Sequence, residues 1–127
     1  MHWTTIQGIG VIIIFKMNFV ESIPREEIIR FCRRWKVREL ALFGSALRAD
    51  FKPESDVDVL ASFHGNAHWG LFDHVQMRLD LEDIFKRKVD LVTRRALEQS
   101  QNSLLRARIL DTAKVIFADN KAVYAEG

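Results

Sequence analysis

The run DVDVLASF, residues 56–63, constrains this chain most. Side chains alternate along a strand, so Val57 and Val59 share one face while Asp56 and Asp58 share the other. The valines belong to a core. The aspartates repel each other unless something positive lies between them. A divalent cation with oxygen ligands is the usual solution, most often magnesium. Two acids one residue apart can also share two ions, held about 3.5–4 Å apart.

The surrounding pattern supplies a sheet for this strand. Ser22 is a candidate N-cap, with Pro24 in the first turn and Glu26 and Glu27 at the positive helix end. Ile28, Ile29, Phe31, Cys32 and Trp35 recur at helical spacing, which predicts a helix over 24–35. VRELALFG then reads as a strand stopped by Gly44, and Ser45 to Ala49 as a short helix. DFKPES is a turn. HGNAHWG is a loop, and Leu71, Val75, Leu79, Leu81, Ile84 and Phe85 mark a second helix over 71–85. RKVDLVT is a third strand, and a loop follows it. Leu104, Leu105, Ile109, Leu110 and Ala113 mark a helix capped by Asn102 or Ser103. KVIFA is a fourth strand. Helices and strands alternate throughout, which predicts an α/β (α+β) domain: a small mixed sheet covered by helices.

Two more features point to the same chemistry as Asp56 and Asp58. RKVDLVT carries Asp90 among strand-forming apolar residues. If its strand lies beside 56–63, three carboxylates share one region. Upstream, Gly44 permits a tight turn and close approach of a phosphate. Ser45 adds a hydroxyl at a helix start, where backbone N–H groups are free. Arg48, one turn on, offers a planar multi-donor group to the same phosphates.

Length and charge exclude other classes. At 127 residues the chain suits one domain. A formal net charge of +2 is too small to argue for direct nucleic-acid binding. Cys32 stands alone, so it forms no internal disulfide and reads as a small buried hydrophobe. That is compatible with a reducing, cytoplasmic setting. The apolar run Val11–Phe15 is far shorter than the roughly 20 residues that span a bilayer. Residues 1–16 are expected to be an N-terminal extension outside the fold, with the domain over 17–118 and a tail over 119–127.

The order Gly44-Ser45, then Asp56-Val57-Asp58, then Asp90 resembles the DNA polymerase β-type nucleotidyltransferase superfamily, and within it the minimal nucleotidyltransferases. The resemblance covers roughly residues 22–118. It implies transfer of AMP from ATP, with magnesium, two ions expected, and pyrophosphate as the other product. It implies that Asp56 and Asp58 hold both metals and that Asp90 ligates the catalytic one. Gly44 and Ser45 would bind the β- and γ-phosphates, and Arg48 matches a basic residue often found there. Minimal nucleotidyltransferases resemble the antitoxin halves of toxin–antitoxin pairs. The expected partner is therefore a HEPN-domain RNase toxin, neutralised by adenylylation of a tyrosine.

Two alternatives remain at this level: a nucleotidyltransferase acting on an aminoglycoside-like small molecule, and a non-catalytic module that masks a toxin by contact. His64 and His68 are candidates to line the nucleotide pocket. Trp3, Trp35 and Trp69 are candidates for a partner surface.

Overall fold

The computed structural model describes residues 19–47 and 55–119. The Val11–Phe15 run, Met17, Arg48, Pro53, Trp3, Tyr124 and the tail from residue 120 lie outside the described residues.

After a 3-10 turn at Phe19–Ser22, helix α1 (Arg25–Arg34) leads into strand β1 (Val37–Phe43). A second 3-10 turn, Gly44–Leu47, follows directly. Strand β2 (Val57–Phe63), helix α2 (Leu71–Phe85) and strand β3 (Val89–Thr93) form the centre of the fold. Two helices, α3 (Arg94–Glu98) and α4 (Ser103–Thr112), precede strand β4 (Lys114–Ala118). The sheet order is β3-β2-β1-β4. β1 is antiparallel to both of its neighbours, while β2 and β3 run parallel. The mixed sheet expected from the alternating pattern is the one observed.

The sheet has two covered faces. On one, Val57, Val59, Leu40, Leu42, Val89 and Leu91 pack against Ile28, Phe31 and Cys32 of α1 and against Met77, Leu81 and Phe85 of α2. Val57, Val59, Leu40 and Leu81 have no exposed surface. Burying one such side chain is worth roughly 1.5–3 kcal/mol, so this face carries most of the stability. On the other, Ala41, Phe43 and Leu60 meet Leu97 of α3 and Ile109 of α4 in a smaller cluster. The alternation that sends Val57 and Val59 to the large core sends Asp58 and Leu60 to the second face.

Some local expectations need correction. Ser22 does not cap α1. Its hydroxyl donates to Phe19 O at 2.7 Å and closes the preceding 3-10 turn, which leaves Pro24 as N-cap. The turn after β1 begins at Gly44 itself rather than at Ser45. Residues 94–98, expected within a loop, form α3. Thr93 Oγ1 accepts the Ala96 N–H at 3.1 Å, and Arg94 pairs with Glu98 at 3.2 Å across one turn. The Asn102 cap is observed, with its side chain accepting from Leu105 N at 3.0 Å.

Trp35 belongs to the core, 6% exposed, and its Nε1 donates to Asp80 Oδ2 at 3.0 Å. It is not a partner surface. Trp69 stands edge-on to it, with ring centroids 5.1 Å apart, and donates to the Trp35 carbonyl at 2.9 Å. Asp119 is tied to the sheet: its N–H donates to Arg38 O at 2.7 Å and Oδ2 lies 3.1 Å from His64 Nε2.

Candidate active site at the amino ends of two parallel strands

The site is built from three strand ends. β1 ends at Phe43, whose cross-strand partner is Asp58 near the start of β2. β2 and β3 begin together, and their parallel register sets Asp58 directly beside Asp90. Val57 N–H donates to Lys88 O at 2.9 Å, and Val89 N–H donates to Glu82 Oε2 at 3.0 Å. Glu82 also accepts from Arg78 at 3.0 Å. Neighbouring strands lie about 4.7–4.9 Å apart, so the two acids share one edge of the second face. They sit just beyond the small cluster formed by Leu60, Leu97 and Ile109.

Gly44 closes this edge. Its φ is +69°, in the left-handed region that side chains rarely adopt. A Cβ added there would lie 2.5 Å from Asp58 Oδ2 and 3.3 Å from its Cγ. Two independent constraints therefore demand glycine: the backbone angle and the carboxylate packed against the Cα. Ser45 is the second residue of the turn that Gly44 opens.

Asp56 stands one residue before β2 and is exposed, as is Asp90, while Asp58 is half-buried. The strands bring Asp58 and Asp90 together as expected. Among the described residues, no three acid, histidine or cysteine side chains gather closely enough to hold a metal as they stand. What does fit a hard divalent cation is the donor chemistry, two carboxylates side by side with a third one strand step away, next to a backbone cradle that excludes a side chain.

His64 does not belong to this site. It follows the last residue of β2, about 20 Å of strand from Asp58 at ~3.3 Å per residue. There it pairs with Asp119. His68 lies in the same distant loop.

A family model described as a nucleotidyltransferase domain matches residues 25–116, which span every strand of this sheet down to Ile116. The chain belongs to that family. Sequence relatives of this nucleotidyltransferase include a Methanocaldococcus jannaschii protein named provisionally as a protein adenylyltransferase. It is 34% identical over 64 residues, 50% of this chain and 64% of the relative. The chain thus spans just under two-thirds of that relative's length. Protein adenylyltransferase MntA of Thermococcus cleftensis is 33% identical over 79 residues, 62% of this chain and 78% of that protein.

Solved structures share the fold. One, named provisionally a minimal nucleotidyltransferase, is 30% identical with a TM-score of 0.56, covering 71% of this chain and 86% of that one. A toxin–antitoxin structure with AMP-PNP is 19% identical with a TM-score of 0.59, covering 79% and 77%. A tri-AMPylated Shewanella oneidensis HEPN toxin in complex with an MNT antitoxin gives 19% and 0.52, covering 80% and 75%. At 19% identity these last two speak for the fold alone. No helix among the described residues is long and apolar enough to cross a membrane.

Proposed function

We propose that this nucleotidyltransferase is an antitoxin that moves AMP from ATP to a tyrosine of a cognate HEPN RNase toxin and so silences it. The observation that carries the reading is the Gly44 Cα packed on the Asp58 carboxylate, with Asp90 beside it. A glycine turn with a positive φ and two neighbouring acids meet at one strand edge. The names of the relatives support a protein acceptor. The AMP-PNP and tri-AMPylated complexes support ATP as donor and a HEPN toxin as partner.

In this reading the Gly44–Ser45 turn binds the β- and γ-phosphates, and Arg48 reaches the same phosphates. Asp56, Asp58 and Asp90 would hold two magnesium ions, whose chemistry is to neutralise the triphosphate and acidify the attacking hydroxyl. The tyrosine oxygen attacks the α-phosphorus, and the bond to the β-phosphate oxygen breaks. Pyrophosphate leaves with that electron pair. Asp90, beside Asp58 on the outer strand, takes the phenolic proton. The chain and its toxin share the cytoplasm.

The test is co-expression with the HEPN partner followed by intact-protein mass spectrometry. Wild type should add one or more AMP masses to the partner, and the Asp56→Ala/Asp58→Ala double variant none. If the double variant still neutralises the toxin in a stable complex, the transfer reading fails and masking by contact replaces it. Modification of an aminoglycoside-like alcohol by the isolated chain, with no mass gain on the partner, favours the small-molecule alternative.

A further inference from the structure

The other end of the same two strands carries a second constellation. β2 and β3 are adjacent and parallel, and the chain leaves their carboxyl ends in opposite directions. From β2 it runs to α2, on the large-core face. From β3 it turns into α3, on the second face. Divergence of this kind opens a crevice outside the strand ends, where ligands of open α/β sheets bind. A cavity of about 590 Å³ lies there, within the range of small-molecule sites.

Both exits line it. The β2 exit supplies His64, Trp69 and His74, and the β3 exit supplies Thr93, Arg94 and Arg95. β1 adds Arg38 at the point where its register slips: Val37 pairs with Phe63 and Glu39 with Ser62, so Arg38 is an extra bulged residue. A bulge re-aims a side chain, and bulges recur beside binding sites. Glu39 and Glu98 are the acids of this cavity. Arg94 pairs with Glu98 at 3.2 Å, and His64 Nε2 lies 3.1 Å from Asp119 Oδ2. Among the described residues Arg38 and Arg95 make no ion pair, so their guanidinium donors remain available.

This donor set matches one chemical class. Two guanidinium groups without carboxylate partners suit a phosphate. Trp69, partly exposed, offers an apolar wall for a flat ring. Glu39 is an acceptor for ribose hydroxyls, a role acids play beside bound nucleotides. We propose that the crevice at the carboxyl ends of β2 and β3 binds a nucleoside phosphate, at a second site separate from the Gly44–Asp58 centre. Leu60, Leu97 and Ile109 lie packed between the two ends on the second face, so one ligand does not bridge them along the sheet. The second site holds whether or not the chain transfers AMP.

The experiment titrates AMP, and separately inorganic pyrophosphate, into the isotopically labelled full chain and follows the amide NMR signals. AMP should move the signals of Ser62, Gly65, Gly70 and Thr93 to Arg95. The Arg38→Glu/Arg95→Glu double variant, altered only at exposed side chains, should weaken that response at least about tenfold, the scale of 1.4 kcal/mol. In the same variant, ATP should still move the signals of Gly44 and Asp58. AMP-induced shifts confined to Gly44–Leu47 and Asp58 would overturn the proposal, as would an affinity unchanged in the double variant. Pyrophosphate binding as tightly as AMP would overturn the nucleoside assignment.

Discussion

The Cα of Gly44 rests against the carboxylate of Asp58, so closely that a methyl group there would lie 2.5 Å from Oδ2. This contact joins the turn after β1 to the first acid of β2 and makes glycine a condition of the site. Gly44→Ala should therefore damage both fold and function. The positive φ alone costs about 1–2 kcal/mol with a side chain. The melting temperature should fall by about 3–6 °C per kcal/mol, between the values for smaller and larger domains. Transfer should be lost even at temperatures where the variant is folded, because Asp58 must move. A folded Gly44→Ala protein with wild-type transfer would show that the contact is dispensable.

Asp58 and Asp90 are register partners, so like charges lie side by side. Replacing either with asparagine removes that repulsion, and the Asp90→Asn change should leave the melting temperature unchanged or raised. Transfer should nevertheless fall by about 10²–10⁴-fold in Asp90→Asn, the scale of losing a group that moves the proton, and at least as far in Asp58→Asn. Circular dichroism and single-turnover transfer on each variant separate the two effects. A drop in stability that parallels the drop in transfer would make these acids structural.

The placement of the candidate acids was legible in the sequence because its signals are local. DVDV carries the period of a strand in which acids and valines take opposite faces, and the observed burial follows it: Val57 and Val59 are fully buried, Asp58 half-buried. Asp90 was recognisable for the same reason, and only its pairing with Asp58 needed the fold. Helix α3 was not visible, because five residues with one buried anchor, Leu97, show no helical period. Its signals were a Thr cap and the Arg94–Glu98 spacing. Ser22 misled because a hydroxyl before a proline serves a 3-10 turn as readily as a cap. The carboxyl-end crevice left no trace in the sequence, since Arg38, Trp69 and Arg95 meet only through topology and a bulge.

Thr93 links β3 to α3 by accepting the Ala96 N–H. Thr93→Ala should cost about 1 kcal/mol, the usual value of an N-cap. Leu97 would then be held less firmly over Leu60 and Phe43. Urea denaturation should show a lower midpoint with an unchanged slope, while Thr93→Ser should restore it. No difference between the two variants would remove the cap from the account.

Cys32 has no exposed surface, and burial pushes its thiol from 9.0 up to about 12. The unfolded chain therefore releases this proton at lower pH than the folded one. Stability from this group is complete below pH 9.0 and declines as pH rises toward about 12. Cys32→Ala should flatten that alkaline decline in a series of denaturation curves. At pH 8 the native thiol should resist a thiol reagent that modifies it at once in denaturant. Fast labelling of the native chain would mean that the α1 face of the core opens.

The central claim is nucleotidyl transfer at the Gly44–Asp58–Asp90 edge. Its most direct measurement is to supply the chain and the HEPN partner proposed for it with magnesium and ATP labelled at either the α- or the γ-phosphate. Label from the α-phosphate should appear on the partner, and label from the γ-phosphate should leave as pyrophosphate. Asp58→Asn should lower the first signal by at least about 100-fold. Transfer of the γ-label to the partner, or α-label transfer undiminished in Asp58→Asn, would contradict the account.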